Sequence, residues 1–208
     1  MFPPSDRPTL ILCDVVSLCK MSRPRSRRGA RDSARERTEA LEGMLFQAAV
    51  TGCAEVVERL LARDDIDVNK VRTGDECTPL YAASANGHTE VVERLLARDD
   101  IDVNKAATVD GSTPLCMATQ NGHTEVVERL LARDDIDVNK ARTDDGCTPR
   151  YMASYNGHIE VVERLLARDD IDVNRAGKGR GGTARRTARS HGHIEKEERR
   201  VASDDNDV

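Results

Sequence analysis

The run Glu-Val-Val-Glu-Arg-Leu-Leu-Ala-Arg-Asp-Asp-Ile-Asp-Val-Asn occurs four times in this chain, at 55–69, 90–104, 125–139 and 160–174, each copy 35 residues after the one before. A fixed period of that length is the signature of stacked modules, each too small to bury its own apolar face. Stacking completes the core, so stability is shared between neighbours and not gathered at one centre. Only 2% of the 208 residues are aromatic and Trp is absent. A thin core of Val, Leu, Ile and Ala suffices for a solenoid, whereas a single globular domain of this length would need a larger one.

The frame divides 43–182 into four units, 43–77, 78–112, 113–147 and 148–182, with a shortened fifth at 183–208. Each reads as two helices and a long loop. In the second unit, Thr78 is placed to cap a first helix and Pro79 follows where a missing N–H costs nothing. Asn86-Gly87 supplies a left-handed stop. A second helix starts after His88 and carries Val91, Val92, Leu95 and Leu96 along one side, a stripe suited to burial. Glu90 sits near the positive end of that helix and four residues before Arg94, while Asp99-Asp100 oppose its continuation because carboxylates repel a helix C-terminus.

These residues resemble the ankyrin repeat. Thr78-Pro79-Leu80, Thr113-Pro114-Leu115 and Thr148-Pro149 are similar to the family's Thr-Pro-Leu-His opening. Gly87-His88, Gly122-His123 and Gly157-His158 match its Gly-His step, and Asp102-Val103-Asn104 with its copies matches the Asp-Val-Asn that leads into the hairpin. The resemblance covers about 43–182 and implies an all-α ankyrin-repeat solenoid of stacked helix-turn-helix units with β-hairpin-like loops. It also implies a non-enzymatic scaffold or adaptor that binds a protein partner through the concave face of the array.

The departures from the family pattern are specific. The family period is about 33 residues, and the two extra residues here fall around Arg98-Asp99-Asp100-Ile101 and in the hairpin loop. The His that follows Thr-Pro-Leu in the family is Tyr81, Cys116 and Tyr151. Arg150 replaces a core Leu, and its guanidinium is expected to reach water along its stem.

Residues 1–40 differ from the array. Lys20 to Arg37 is rich in Arg and Ser, with Asp32 and Glu36 its only acids. Such a stretch buries too little apolar surface to offset its ordering entropy, so a disordered basic N-terminal arm is expected over 1–40. A nuclear localisation signal, a transit peptide, an anionic-partner tether and a solvated tail are all consistent with it. Leu10 to Leu18 is interrupted by Asp14 and falls far short of the ~20 residues of a membrane span, so no membrane association is expected.

The fifth unit keeps the frame and loses the apolar residues. Arg185, Lys196, Glu197 and Arg200 stand where the second unit has Leu80, Val91, Val92 and Leu95. Charges buried there without partners would cost several kcal/mol each, so 183–208 is expected to be a degenerate repeat, either a polar cap or a frayed tail. Four charges at core positions exceed what capping requires, which favours the frayed tail.

No catalytic constellation is evident. His88, His123 and His158 recur because the unit recurs, and successive copies do not converge on one point; inter-repeat hydrogen bonding is their expected role. The six Cys lack the paired spacing of a zinc site and are expected as reduced thiols of a cytoplasmic or nuclear protein. Asp100 to Asn104 mimics the start of a calcium loop, but Lys105 occupies the sixth position and Gly111 the twelfth, so no metal or cofactor is expected. Basic residues from Arg175 to Arg189 run without an acid, which with the N-terminal arm allows an alternative role as a nucleic-acid-associated adaptor. Neither segment carries aromatic stacking residues, which disfavours base recognition. The chain is expected to be a monomer.

Differences among the copies point to the binding face. His88 to Lys105 is identical to His123 to Lys140, whereas the first-helix exits read Ala85, Gln120 and Tyr155 and the loops Val71 to Cys77, Ala106 to Ser112 and Ala141 to Cys147 are not identical. The resemblance places these exits and loop tips on the concave face, which makes Asp75, Cys77, Val109, Ser112, Arg142, Asp144 and Cys147, with the three exit residues, the expected partner contacts. Asn69, Asn104, Asn139 and Asn174 lie in contexts that resemble the target pattern of an asparaginyl hydroxylase acting on ankyrin repeats.

Overall fold

The computed structural model describes residues 27–173 apart from Thr73 and Asp75, with side chains from residue 34 onward. The described residues form eight helices: α1 (Arg27–Thr51), α2 (Ala54–Leu61), α3 (Pro79–Asn86), α4 (Thr89–Leu96), α5 (Pro114–Asn121), α6 (Thr124–Leu131), α7 (Pro149–Asn156) and α8 (Ile159–Leu166). No strand occurs among them. Each unit is an antiparallel helix pair followed by a long loop, as the 35-residue frame predicts.

The helix boundaries follow from single residues. The Thr78, Thr113 and Thr148 hydroxyls accept the backbone N–H of Tyr81, Cys116 and Tyr151 at 3.2, 3.1 and 3.2 Å, caps each worth about 1 kcal/mol. Gly87, Gly122 and Gly157 end the same helices at φ of 75°, 74° and 76°, where a side chain would be strained. The first unit has Gly43 and Met44 in place of Thr-Pro. Nothing there stops a helix from running backward, and α1 extends to Arg27.

The expectation of a disordered arm through residue 40 is therefore corrected for 27–40, which are helical. An Arg35–Glu39 pair at 3.0 Å, one turn apart, supports that stretch. Residues 1–26 lie outside the described residues, as does the degenerate fifth repeat at 183–208.

One continuous apolar core runs the length of the stack, through Leu45, Leu80 and Leu115 of the first helices and Leu60, Leu95, Leu130 and Leu165 of the second. Full burial of such a side chain stabilises by roughly 1.5–3 kcal/mol, and the column repeats in every unit. Arg150 continues the first-helix column at only 3% exposure. Its guanidinium does not reach water, contrary to the expectation; Nη1 donates to the Val173 carbonyl at 2.8 Å. A backbone acceptor therefore lies within reach of the stem, although Nε is buried without a hydrogen-bond partner.

Successive first helices are in more extensive contact than successive second helices, so the stack curves toward the first-helix side. The loops close as hairpins without becoming strands. Arg72, Ala107 and Arg142 N–H groups donate to the Cys77, Ser112 and Cys147 carbonyls at 3.2, 2.9 and 3.0 Å. Neighbouring hairpins are also tied together, Thr108 N–H to the Glu76 carbonyl at 3.0 Å and Thr143 N–H to the Asp110 carbonyl at 2.9 Å.

Candidate interaction face

The inner face is built from two positions of each first helix, one turn apart. The earlier one is Phe46, Tyr81, Cys116 and Tyr151; the later one is Val50, Ala85, Gln120 and Tyr155. The earlier position is covered by the hairpins, with Phe46, Cys116 and Tyr151 buried and Tyr81 half-buried. Burial and the nearby Asp110 carboxylate push the Tyr81 hydroxyl up to about 12. The Cys116 thiol donates to the Lys140 carbonyl at 3.6 Å.

The later position is half-exposed in Ala85, Gln120 and Tyr155. Its backbone is engaged: the Ala85 carbonyl accepts from His123 Nε2 at 3.1 Å and Asn121 Nδ2 at 2.7 Å, and the Gln120 carbonyl accepts from His158 and Asn156, both at 2.9 Å. Side chains at these exits can therefore vary while their backbone is fixed by the next unit. Tyr155 stacks on Tyr151 with ring centroids 6.2 Å apart, giving the fourth unit the largest aromatic surface of the described face.

Three of the expected contact residues are corrected by the structure. Ser112 is fully buried with its hydroxyl on Asp110 Oδ2 at 2.6 Å, and Cys77 and Cys147 are 7% and 9% exposed. All three occupy the base of the hairpin, where the chain turns into the Thr-Pro cap, and their side chains point into the seam between loop and helix. Burial also pushes the Cys147 thiol up to about 12, which leaves it protonated and unreactive at neutral pH. The described thiols, Cys53, Cys77, Cys116 and Cys147, form no disulfide.

The hairpin tips remain available. Val109 is 74% exposed at the second tip. At the third, Arg142 grips Asp144 at 2.7 Å and also reaches Asp110 at 3.4 Å and Asp145 at 3.5 Å. The guanidinium holds the Asp144 carboxyl down at about 2. This cluster ties the second tip to the third. Asp75 lies outside the described residues.

The opposite edge of the stack, at the ends of the second helices, is occupied by contacts that recur in each unit. Asn69 donates to the Asp100 carbonyl at 2.7 Å and accepts from the Asp102 N–H at 2.8 Å. Asn104 and Asn139 do the same one and two units on. Each of these three amides thus spends both its oxygen and its nitrogen on the neighbouring unit's backbone, and a modifying enzyme would have to open that latch. Asn174 lies outside the described residues.

A second recurrent device was not foreseen. Arg98, Arg133 and Arg168 each pair with the Asp two residues on, at 2.9, 3.0 and 2.9 Å. Their Nη1 atoms meanwhile donate to the Leu61, Leu96 and Leu131 carbonyls at 3.0, 3.3 and 3.0 Å. Those carbonyls end the preceding unit's second helix, where a cation complements the dipole. The signal was the Arg-x-Asp spacing present in every copy, set in the insertion that lengthens the unit.

Among the described residues no cluster of His, Cys, Asp or Glu could hold a metal ion, and no helix is long and apolar enough to cross a membrane. No curated protein matches the chain. The family model for ankyrin repeats (3 copies) matches residues 45–142 and 100–177. Those matches cover most of the chain and coincide with the helix pairs, Gly-His steps and hairpins described above, and the chain belongs to the ankyrin repeat family.

Proposed function

We propose that this protein is a non-enzymatic scaffold or adaptor that binds a protein partner on the inner face formed by the first-helix exits and the hairpin tips. Ankyrin repeats are generally protein–protein interaction modules. The observation that carries the reading is where the copies differ. Residues that join one unit to the next, His88, Arg98 and Asn104 with their counterparts, are the same in the second, third and fourth copies, while the half-exposed Ala85, Gln120 and Tyr155 are all different. Variation at half-exposed positions beside uniform joints supports a recognition surface there. Preformed loops also lower the ordering cost of association.

The test is co-purification of partners with the full chain, with Gln120→Ala plus Tyr155→Ala, and with Arg94→Ala on the outer face. The double variant is expected to lose the partner and keep its fold, since exposed changes alter stability by only about 0.5 kcal/mol. Normal binding by that variant, with loss in Arg94→Ala, would move the site to the outer helices.

A further inference from the structure

Each joint along the first helices closes on one carbonyl of the preceding unit. Between the second and third units, His123 Nε2 and Asn121 Nδ2 both donate to the Ala85 carbonyl, at 3.1 and 2.7 Å. Between the third and fourth, His158 and Asn156 both donate to that of Gln120. The first joint has the histidine alone: His88 Nε2 lies 3.0 Å from the Val50 carbonyl, while Asn86 Nδ2 turns back to the Ala82 carbonyl of its own helix at 2.8 Å.

Asn86, Asn121 and Asn156 each precede a glycine, the neighbour that least hinders its own backbone nitrogen from reaching the asparagine Cγ. The latch residues Asn69, Asn104 and Asn139 are followed by lysines, whose side chains crowd the same approach. In the closed array both reacting groups are occupied. The Gly122 N–H donates to the Ala118 carbonyl and the Gly157 N–H to those of Ala153 and Ser154, and each leaving nitrogen is held on the preceding unit. Asn121 and Asn156 are nevertheless exposed, so opening a joint frees the pair for reaction in the presence of water.

We propose that Asn121 and Asn156 are sites of spontaneous deamidation, each gated by the opening of the joint it closes, and that the product keeps that joint from closing fully. The Gly122 nitrogen bonds to Asn121 Cγ as the Cγ–Nδ2 bond breaks, and Nδ2 leaves as ammonia with the glycine proton. Water then opens the cyclic imide to aspartate or isoaspartate. Either product sets a carboxylate where a donor met the Ala85 carbonyl, at a helix C-terminus whose dipole repels it. Conversion is a one-way record of opening, kept joint by joint.

Peptide mass mapping of the full-length protein, incubated at mildly alkaline pH, tests this. Conversion at both sites should be at least roughly tenfold slower in the folded chain than in the same chain unfolded in urea, because only the open fraction reacts. His123→Ala should speed conversion at Asn121 roughly fivefold, the size of one hydrogen bond, and leave Asn156 unchanged; His158→Ala should do the reverse. Asn121→Asp, the product itself, should raise amide exchange in α3 and α5 by a similar factor. Urea below the unfolding transition makes the comparison without a substitution, and conversion should rise in step with amide exchange at the same joint. Equal rates in the folded and unfolded chains, conversion at both sites rising alike whichever histidine is removed, conversion that stays flat while exchange rises, or unchanged exchange in Asn121→Asp would overturn the proposal.

Discussion

The two edges of the stack solve different problems with the same repeated unit. Along the outer edge every joint is alike: an Asn latch, an Arg clamp and an Arg–Glu pair, most of them closing on backbone groups of the neighbour. Along the inner edge the three hairpins differ. Their left-handed position is Glu76 in one and Gly111 and Gly146 in the others, and the residue after it is Cys77, Ser112 and Cys147. The joints of the outer edge are uniform, whereas those of the inner edge join hairpins of different sequence.

The largest effect should come from the core that both edges share. Leu130→Ala removes a fully buried side chain from an interior unit and should destabilise the array by about 2–5 kcal/mol. Leu131, its half-buried neighbour, should cost clearly less. Denaturant unfolding of both variants checks the order; equal losses would mean that the second-helix stripe is turned from where it is described here.

Next comes a joint. Gly87→Ala places a Cβ 2.7 Å from the His123 ring at a φ of 75°, so strain and steric conflict act together and a loss of about 1–3 kcal/mol is expected. The thermal midpoint should fall, with extra hydrogen exchange concentrated in α3 and α6 on the two sides of that joint. A uniform change along the array would argue against a local joint.

The outer clamp should show itself in acid. Arg63, Arg98, Arg133 and Arg168 hold the Asp65, Asp100, Asp135 and Asp170 carboxyls below the ordinary value of 3.8. Groups depressed in the folded state stabilise it fully above their unfolded value and lose that contribution as pH falls through the folded one. Stability should therefore drop below about pH 4, and Arg133→Ala should make that drop shallower while costing about 1 kcal/mol at neutral pH. Unfolding midpoints across pH 2–7 on the two proteins measure both (roughly the carboxylate window).

The smallest effect belongs to the inner edge. Glu76 adopts φ 54°, the conformation its counterparts fill with glycine. Glu76→Gly should relieve strain worth about 1 kcal/mol, partly offset because the Thr108 hydroxyl loses its carboxylate partner at 2.5 Å. A net gain of a few tenths of a kcal/mol is expected in chemical denaturation, whereas a loss would show that the hydroxyl bond outweighs the backbone.

Much of the fold could be read from residues because the local signals and the period agree. Thr-Pro starts, Gly stops and the Val-Val-Leu-Leu stripe each name the same boundaries that the structure has. The failures occur where a signal was absent or the needed partner lay in another unit. Gly43 and Met44 carry no stop, so α1 ran on past the expected boundary. Arg150 found the Val173 carbonyl, a partner no spacing rule supplies. Cys77, Ser112 and Cys147 sit on a loop that sequence places on the inner face, but their burial depends on how the hairpin folds over its own helix.

The Asn latch has a consequence for the length of the molecule. Because Asn69, Asn104 and Asn139 grip backbone groups at identical offsets, whole units can be added or removed without redesigning any joint. Excising 89–123 would bring His88 directly before Thr124, the same neighbour in type that it has now. The stack would then shorten by one helix-packing distance, about 8–10 Å. A gene that duplicates or deletes in steps of 35 codons can thereby lengthen or shorten the stack one intact unit at a time.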